Sequence, residues 1–317
     1  MTAELPPQAS PNIQRIGHPD FTQDLDLTAD ELRSLLHLAA DVKRFPQNYS
    51  SKLFGKSIAL LFEKPSLRTR MTFELAIQQL GGFSILNDGP IGSREPLKDV
   101  ARNLDRWVSG IVARTYLQKT VDDLARWAKV PVVNALSDTW HPCQALADMQ
   151  TLQEHFGALR GLKFAFVGDG NNVAHSLMLN CARLGIDFVI ANPPKYDASP
   201  EVIARSTLIA AQTGCTVTAT HDPAEAARGA HAIYTDVWAS MGAENEAAER
   251  RTAFADYQVD EDLFAQAEPN AVFMHCLPAK RGEEVTDAVI ESPRSVVFDQ
   301  AENRLHAQKA LLLMLLA

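Results

Sequence analysis

The chain contains 317 residues, of which 46% are hydrophobic, and this is enough to bury a substantial core shared between two domains of about 150 residues each. Its 30 Lys and Arg residues stand against 39 Asp and Glu residues, and the formal charge of -9 argues against nucleic acid as a partner. The sequence shows neither a targeting signal nor an apolar stretch long enough to span a membrane, so we expect a cytoplasmic protein without membrane contact.

The cysteine spacing and the charge balance limit which disulfide, metal and ligand-binding sites the chain can contain. Cys143, Cys181, Cys215 and Cys276 lie far apart and form no CxxC pair. This spacing argues against a disulfide framework and against a structural zinc site, so we expect reduced thiols. Because the net charge is negative, a small phosphorylated ligand would need a local group of cationic side chains, and paired arginines are the feature to look for.

The first predicted element is a helix that starts near residue 28. Thr28 and Glu31 have the spacing of a capping box ahead of the apolar residues Leu32, Leu35 and Leu36. Apolar runs then alternate with helical patterns, as in a parallel sheet covered by helices, at residues 58–62, 83–86, 111–113 and 130–133. A second series follows at residues 164–167, 188–191, 217–219, 232–234, 271–274 and 296–298.

An amphipathic helix at residues 144–156 separates the two series and is predicted to connect two domains. We therefore expect an α/β protein with two domains, each a parallel helix-covered sheet, joined by long interdomain helices. The domains are placed at residues 1–143 and 144–299, and a last helix at about residues 300–317 is expected to pack back on the first domain.

Residues 62–70 offer an anion-binding site where a strand ends and a helix begins. Ser66 is predicted to cap that helix, and the Ser66 and Thr69 hydroxyls with Arg68 would complete a phosphate cradle at its N-terminus. Arg68 and Arg70 point about 200° apart on a helix, so only one can face a ligand, and the other is predicted to form a structural ion pair. Taken alone, a capped helix with two surface arginines is the simpler interpretation.

A second candidate site begins at His141. Gln144 lies one helical turn further on, and Pro142 suits the first turn of a helix. A His donor and a Gln that both donates and accepts could converge on one neutral amide or carbonyl group. An exposed histidine that begins a helix is the alternative.

The turn at residues 168–172 follows a predicted strand and superficially resembles a dinucleotide fingerprint. Val173 stands where the third glycine belongs, and the next strand ends at Asn192 rather than at an acidic residue, so nicotinamide binding is not expected. What remains is a tight turn that can aim Asn172 into a cleft at the carboxyl end of the sheet.

Four later segments complete the candidates. Asp236 follows a strand and either holds an ammonium group or caps a turn. Cys276 is either a core thiol or a polarizable group beside a reacting amine, and Arg304 is either a surface charge or a third cation for the phosphate site. The charged, Ala-rich residues 243–255 form a surface helix or a lid.

In their order and spacing, these segments resemble the aspartate and ornithine carbamoyltransferase family from about residue 25 to the C-terminus. The pairing of Asp236-x-x-x-Ser240-Met241-Gly242 with His275-Cys276-Leu277-Pro278 is similar to the ornithine branch. The resemblance implies carbamoyl transfer from carbamoyl phosphate to ornithine in arginine metabolism, by a homotrimer that needs no metal or organic cofactor. Two rivals stay open: a carbamoyltransferase for putrescine or an N-acylated ornithine, and a non-catalytic trimeric relative that only binds metabolites.

The resemblance also implies a role for each site residue. Carbamoyl phosphate binding is implied for Ser66, Leu67, Arg68, Thr69, Arg114, His141, Gln144, Cys276, Leu277 and Arg304. Ornithine binding is implied for Asn172, Asp236, Ser240 and Met241, and a direct part in catalysis for Arg114, His141, Cys276 and Asp236. For residues 243–255 the resemblance favours the lid.

Two positions depart from the family's pattern. Leu67 stands where many members have Thr, which is tolerable if this residue contributes its backbone N–H. Pro90 stands where many relatives place a Gln that reaches the phosphate bound to a neighbouring subunit, and a proline side chain cannot make that contact.

Overall fold

Two parallel β-sheets form the frame of the molecule. The structure is a computed structural model and describes residues 13–239 and 244–317. Strands β1 to β4 of the first sheet lie at Ser57–Phe62, Phe83–Asp88, Gly110–Arg114 and Val132–Leu136, in the order β2-β1-β3-β4. Strands β5 to β9 of the second lie at Lys163–Val167, Asp187–Ala191, Val217–Thr220, Ala232–Thr235 and Val272–His275, in the order β7-β6-β5-β8-β9. The predicted α/β class with two parallel sheets is confirmed.

Helices cover and connect these sheets. Within the described residues, α1 to α12 lie at Ala29–Arg44, Arg68–Gln79, Leu97–Trp107, Gln118–Trp127, Pro142–Phe156, Asn172–Leu184, Pro200–Thr213, Pro223–Ala227, Ala247–Ala253, Glu261–Phe264, Asp287–Ile290 and Val297–Leu316. Short 3₁₀ helices lie at Asp24–Asp26, Pro46–Tyr49, Glu244–Glu246 and Ala255–Tyr257. None of the helices in this part of the chain has the length and apolar character needed to cross a membrane.

The capping box predicted for α1 is confirmed. The Thr28 hydroxyl accepts a hydrogen bond from the Glu31 N–H at 3.2 Å, and the Glu31 carboxylate accepts one from the Thr28 N–H at 2.8 Å. The same carboxylate accepts a bond from the Gly17 N–H at 2.6 Å, which ties the preceding chain to the helix start. Local sequence therefore fixed this boundary, because both partners lie within one turn.

Helix α5 follows β4 and precedes β5 in the chain, at the position predicted for the connecting helix, but it is not amphipathic. Residues 142–152 are all buried, because α5 packs against α12, α1, α6 and β4. A helix enclosed by other elements has no solvent face, so polar residues inside it need hydrogen-bond partners of their own.

The strand predicted at residues 296–298 is wrong. Helix α12 already begins at Val297, and the only remnant of a strand is an isolated bridge between Phe273 and Ser295. An apolar run of three residues is too short for its periodicity to distinguish a strand from the start of a helix. The helix packs against α1, α2 and α5, and this contact with the first sheet's helices carries Arg304 into the cleft between the sheets.

Candidate functional site

A cavity of about 530 Å³ lies where strands of both sheets end. Its lining includes twelve of the residues singled out above: Ser66, Leu67, Arg68, Thr69, Arg114, His141, Gln144, Asn172, Asp236, Cys276, Leu277 and Arg304. Ser240 and Met241 lie outside the described residues. The carboxyl ends of parallel strands and the helix starts that follow them meet at one edge of each sheet, which explains why such distant segments converge.

The start of α2 differs from the prediction in one respect. The helix begins at Arg68 after Leu67, which has helical backbone angles and makes no side-chain cap, so the assignment of Ser66 as the cap is wrong. Leu67 is 70% exposed and has no polar group that could cap the helix. The first N–H groups of α2 therefore keep no intrahelical partner, and Ser66, Leu67, Arg68 and Thr69 all line the cavity beside them.

The two arginines of this segment diverge as predicted. Arg68 lines the cavity, whereas Arg70 forms a surface ion pair with Glu74 at 3.1 Å, one turn along α2. The 3.6-residue period of the helix accounts for the difference, because positions two apart lie on nearly opposite faces.

Two further guanidinium groups meet at the hydroxyl of Thr69. Arg304 donates to Thr69 Oγ1 at 2.6 Å and Arg114 donates to the same oxygen at 3.3 Å. Arg114 and Arg304 are 6% and 3% exposed, and the Nε atom of each has no partner. Burial, together with the positive charge of Arg304, lowers the pKa of Arg114 to about 10, so Arg114 stays charged at neutral pH. Burial also lowers the pKa of Arg304. Buried cations that share one neutral acceptor create a strong preference for an anion in the cavity.

His141 and Gln144 extend the site from the start of α5. Burial, reinforced by the charges of Arg304 and Arg114, lowers the pKa of His141 well below its usual range, so the imidazole is neutral. Its Nδ1 atom has no partner, and neither has Oε1 of Gln144. The Gln144 amide nitrogen instead donates to Asp148 at 2.8 Å. Unpaired polar atoms on buried side chains of a cavity are the groups that a polar ligand can satisfy.

The opposite side of the cavity carries a carboxylate. Asp236 follows β8, and its two oxygens accept from Asn171 Nδ2 at 2.9 Å and from the Cys276 thiol at 3.1 Å. Burial and the neighbouring Asp236 raise the pKa of Cys276 well above its usual range, so this cysteine is a thiol that donates to Asp236. A buried carboxylate held in this way can receive an ammonium group.

The contacts of Asn171 and Asn172 differ from the prediction. Asn172 lines the cavity, but its amide nitrogen donates to the Ser137 carbonyl at 2.6 Å, which joins the start of α6 to the first half of the chain. Asn171, which sequence reasoning missed, caps α6 through Val173 and Ala174 and orients Asp236. The preference of Asn for N-cap positions was a usable signal for this role.

Leu277 reaches the cavity in a left-handed backbone conformation, with φ at 58°. Its N–H donates to Nδ1 of His275 at 2.8 Å, and Nε2 of His275 lies 3.2 Å from Glu284. Asp236, His275 and Cys276 bring one potential metal-ligand atom each within 4.8 Å of one another, but both ring nitrogens of His275 already have hydrogen-bond partners.

The predicted lid segment is helical where it is described and is anchored by Arg250. This guanidinium group donates to Asp169 at 2.8 Å and to the Trp238 carbonyl at 2.9 Å, and it lies over the ring of Tyr196. Asp169 belongs to the turn after β5. The segment is therefore tied to the strand end beside Asp236 rather than free on the surface.

Two protein-family models match the chain. The model described as "Aspartate/ornithine carbamoyltransferase, carbamoyl-P binding domain" matches residues 19–154, and "Aspartate/ornithine carbamoyltransferase, Asp/Orn binding domain" matches residues 160–315. Among curated relatives, an ornithine carbamoyltransferase of Thermococcus kodakarensis is 52% identical and covers 92% of this chain and 94% of its own. Another, from Acidothermus cellulolyticus, is 51% identical with 93% and 96% covered.

The chain is also similar in fold to solved structures of carbamoyltransferases. The ornithine carbamoyltransferase from Pyrococcus furiosus superposes with a TM-score of 0.93 at 48% identity, covering 96% of this chain and 99% of that one. An acetylornithine transcarbamylase complexed with acetylcitrulline is more distant, with a TM-score of 0.85 at 34% identity and 94% and 99% covered.

Proposed function

The chain belongs to the aspartate/ornithine carbamoyltransferase family, and from this premise we propose how it acts as an ornithine carbamoyltransferase in arginine metabolism. The reaction converts carbamoyl phosphate and L-ornithine into L-citrulline and phosphate. The observation that carries the proposal is a single cavity with buried cations on one side and the Asp236 carboxylate on the other. Such a cavity suits a dianion and a diamino acid at the same time.

The phosphate group is assigned to the start of α2. Arg68 and the Thr69 hydroxyl would bind its oxygens, with Ser66 and Leu67 contributing backbone N–H groups. Because Leu67 is exposed and supplies no polar side-chain atom, a leucine at this position is compatible with binding through the backbone. Arg304, which donates to the Thr69 hydroxyl, is the remaining cation proposed for the phosphate site.

The carbamoyl group is assigned to the part of the cavity lined by Arg114, His141 and Gln144. Arg114 and the neutral His141 would donate to the carbonyl oxygen, where negative charge develops when the amine attacks. Gln144 Oε1 would accept from the carbamoyl NH₂, and Leu277 and Cys276 would close the pocket from the second sheet. The C–O bond to phosphate then breaks, and phosphate leaves toward Arg68.

Ornithine is assigned to the second sheet. Asp236 would hold the α-ammonium group, and Asn172, Ser240 and Met241 complete the proposed binding residues. The free δ-amine has a pKa of about 10.4, so a desolvated position beside the Cys276 thiol and the cationic groups would favour its reactive neutral form. These steps use no metal or organic cofactor, since phosphate is already an activated leaving group.

The residue boundaries of the two units remain part of the proposal. We assign residues 1–143 to carbamoyl phosphate binding and residues 144–299 to ornithine binding, with α12 serving the first unit because it packs on α1 and α2. We also propose a cytoplasmic location and closure of the segment around Arg250 over bound ornithine.

A homotrimer is the proposed assembly. The edge strand β2 of the first sheet leaves Phe83 and Ile85 exposed at 68% and 56%, and Met71 on α2 is half exposed. Exposed apolar side chains along an unpaired strand edge favour association with another chain. Pro90 follows this strand, so a side-chain hydrogen bond from that position to a neighbour's phosphate is not proposed. Light scattering during gel filtration tests the trimer, and a monomeric mass would refute it.

A parallel assay tests the activity. The purified chain receives carbamoyl phosphate with ornithine, N-acetylornithine, putrescine or aspartate, and ureido product is measured by colour. Of the four amines, we expect only ornithine to give product with carbamoyl phosphate. Product chiefly with another amine would support that rival carbamoyltransferase, and no product with any amine would support a non-catalytic relative.

A further inference from the structure

A buried carboxylate lies one turn beyond Gln144 on α5. Asp148 Oδ1 accepts from the side-chain amide of Gln144 at 2.8 Å and from that of Gln300 at 2.7 Å. Asp148 and Gln300 are fully buried, and Gln144 is 1% exposed. Asp148 is therefore inside the protein behind the cavity wall, where it contacts the ligand-facing residue rather than the cavity.

The orientation of each amide in this group is determined by its partners. A primary amide donates through nitrogen and accepts through oxygen, so the partner of one atom decides where the other points. Gln300 Oε1 accepts from the His275 N–H at 3.0 Å, which leaves the Gln300 nitrogen for Asp148. The Gln144 nitrogen is likewise taken by Asp148, and Gln144 Oε1 has no partner. The atom of Gln144 left without a partner, on a residue that lines the cavity, is therefore a hydrogen-bond acceptor.

We propose that Asp148 is a positioning residue that fixes Gln144 as a hydrogen-bond acceptor and so makes the site select an acyl phosphate that carries an NH₂ group. The inference rests on the proposed function, because it concerns how that site chooses its carbamoyl donor. Acetyl phosphate has nearly the same shape, with a methyl group in place of NH₂. It would leave the buried Gln144 oxygen unpaired, which costs enough to change affinity about tenfold or more.

The experiment measures Kd by calorimetry for carbamoyl phosphate, acetyl phosphate and inorganic phosphate with the intact chain. In the unmodified protein we expect carbamoyl phosphate to bind at least about tenfold more tightly than acetyl phosphate. Asp148→Leu removes the acceptor at similar size, so the Gln144 amide can rotate and the preference should fall by about tenfold. Affinity for inorganic phosphate should stay unchanged, since its proposed ligands are residues at the start of α2 and Arg304 on α12, not Gln144.

Two variants distinguish a loss of Gln144 orientation from general structural damage to the buried group. Asp148→Asn keeps an oxygen that can accept from Gln144, so the preference for carbamoyl phosphate should be retained. Gln300→Leu removes the other hydrogen bond to the same carboxylate but leaves the Gln144–Asp148 bond, and it should also retain the preference. A structural defect in this buried group would instead lower the affinity for all three ligands together.

An unchanged preference in Asp148→Leu would overturn the inference, and so would loss of the preference in Asp148→Asn. Should Asp148→Leu fail to fold, Gln144→Leu provides the second test: loss of the preference supports the acceptor role and an unaltered preference overturns it. Failure of the proposed function would look different, because the unmodified chain would then form no citrulline or bind no carbamoyl phosphate.

Discussion

Arg304 donates a hydrogen bond of 2.6 Å to the hydroxyl oxygen of Thr69, which lies 235 residues earlier in the chain. Arg114 donates to the same oxygen at 3.3 Å. A hydroxyl has two acceptor positions and one proton, so with both positions occupied by guanidinium N–H groups the proton is free to donate elsewhere. Thr69 thus aligns two cations and offers its own O–H to an anion in the cavity.

This relationship predicts the effect of Thr69→Val, which keeps the shape of the side chain and removes the hydroxyl. We expect carbamoyl phosphate to bind about tenfold more weakly or worse, because a hydrogen bond to a charged group and the alignment of two arginines are lost together. Calorimetry measures the effect. The matched control is Thr72→Val on the same helix, whose hydroxyl donates only to backbone carbonyls, and equal losses in both variants would contradict the assignment.

Arg114→Ala is expected to reduce kcat by about 100-fold or more, because one donor to the developing negative charge is removed. Steady-state citrulline formation measures this, with circular dichroism to check the fold. Arg70→Ala serves as the control, since Arg70 forms only an exposed pair with Glu74 and should leave kcat nearly unchanged. Near-normal turnover without the Arg114 guanidinium would remove it from the mechanism.

The depressed pKa of His141 makes a spectroscopic prediction. Because burial and two neighbouring arginines oppose protonation, the pKa of the ring is lowered and the ring should stay neutral throughout pH 6.5 to 8, whereas a histidine in the unfolded chain is half protonated near about pH 6.5. Nitrogen-15 chemical shifts of the ring, assigned by comparison with His141→Asn, report its protonation. A midpoint inside this range would mean that the ring takes up a proton and that its proposed role as a neutral donor is wrong.

Asp148 makes the stability of the protein depend on pH. Burial raises its pKa from 3.8 to about 7, so the folded state binds this proton more tightly than the unfolded state. Stability from this group is complete below about pH 4 and is lost as the pH rises through about 7. Asp148→Asn removes this titration, so the Tm of the variant relative to the unmodified protein should increase between pH 5 and pH 8. A difference in Tm that stays flat over this range would contradict the raised pKa.

Arg250→Ala tests the proposed lid. Loss of the bonds to Asp169 and to the Trp238 carbonyl should detach the segment from the strand end, raising KM for ornithine several-fold while the affinity for carbamoyl phosphate stays unchanged. The neighbouring Arg251→Ala is a close control, because Arg251 is more exposed and pairs only with Glu283 near the surface. If both variants behave alike, Arg250 does not anchor a lid.

The sequence by itself determined the features that depend on near neighbours. The capping box of α1, the alternation that gives two parallel sheets and the opposite directions of Arg68 and Arg70 all follow from local periodicity. It also supplied the motif order on which the family resemblance rests. It misplaced the cap of α2 and the strand at residues 296–298, where a few residues fit two local structures equally well.

Only the tertiary structure decided which polar atoms at the site are paired and which are left without a partner. No spacing along the chain indicates that Arg304 shares an acceptor with Arg114, that Asn171 holds Asp236, or that Asp148 takes the amide nitrogen of Gln144 and leaves its oxygen unpaired. These contacts join segments from both sheets and from α12, or depend on which neighbours enclose α5. The physical reason is that burial makes every unpaired polar atom costly, so the packing of distant elements, rather than local propensity, selects each partner.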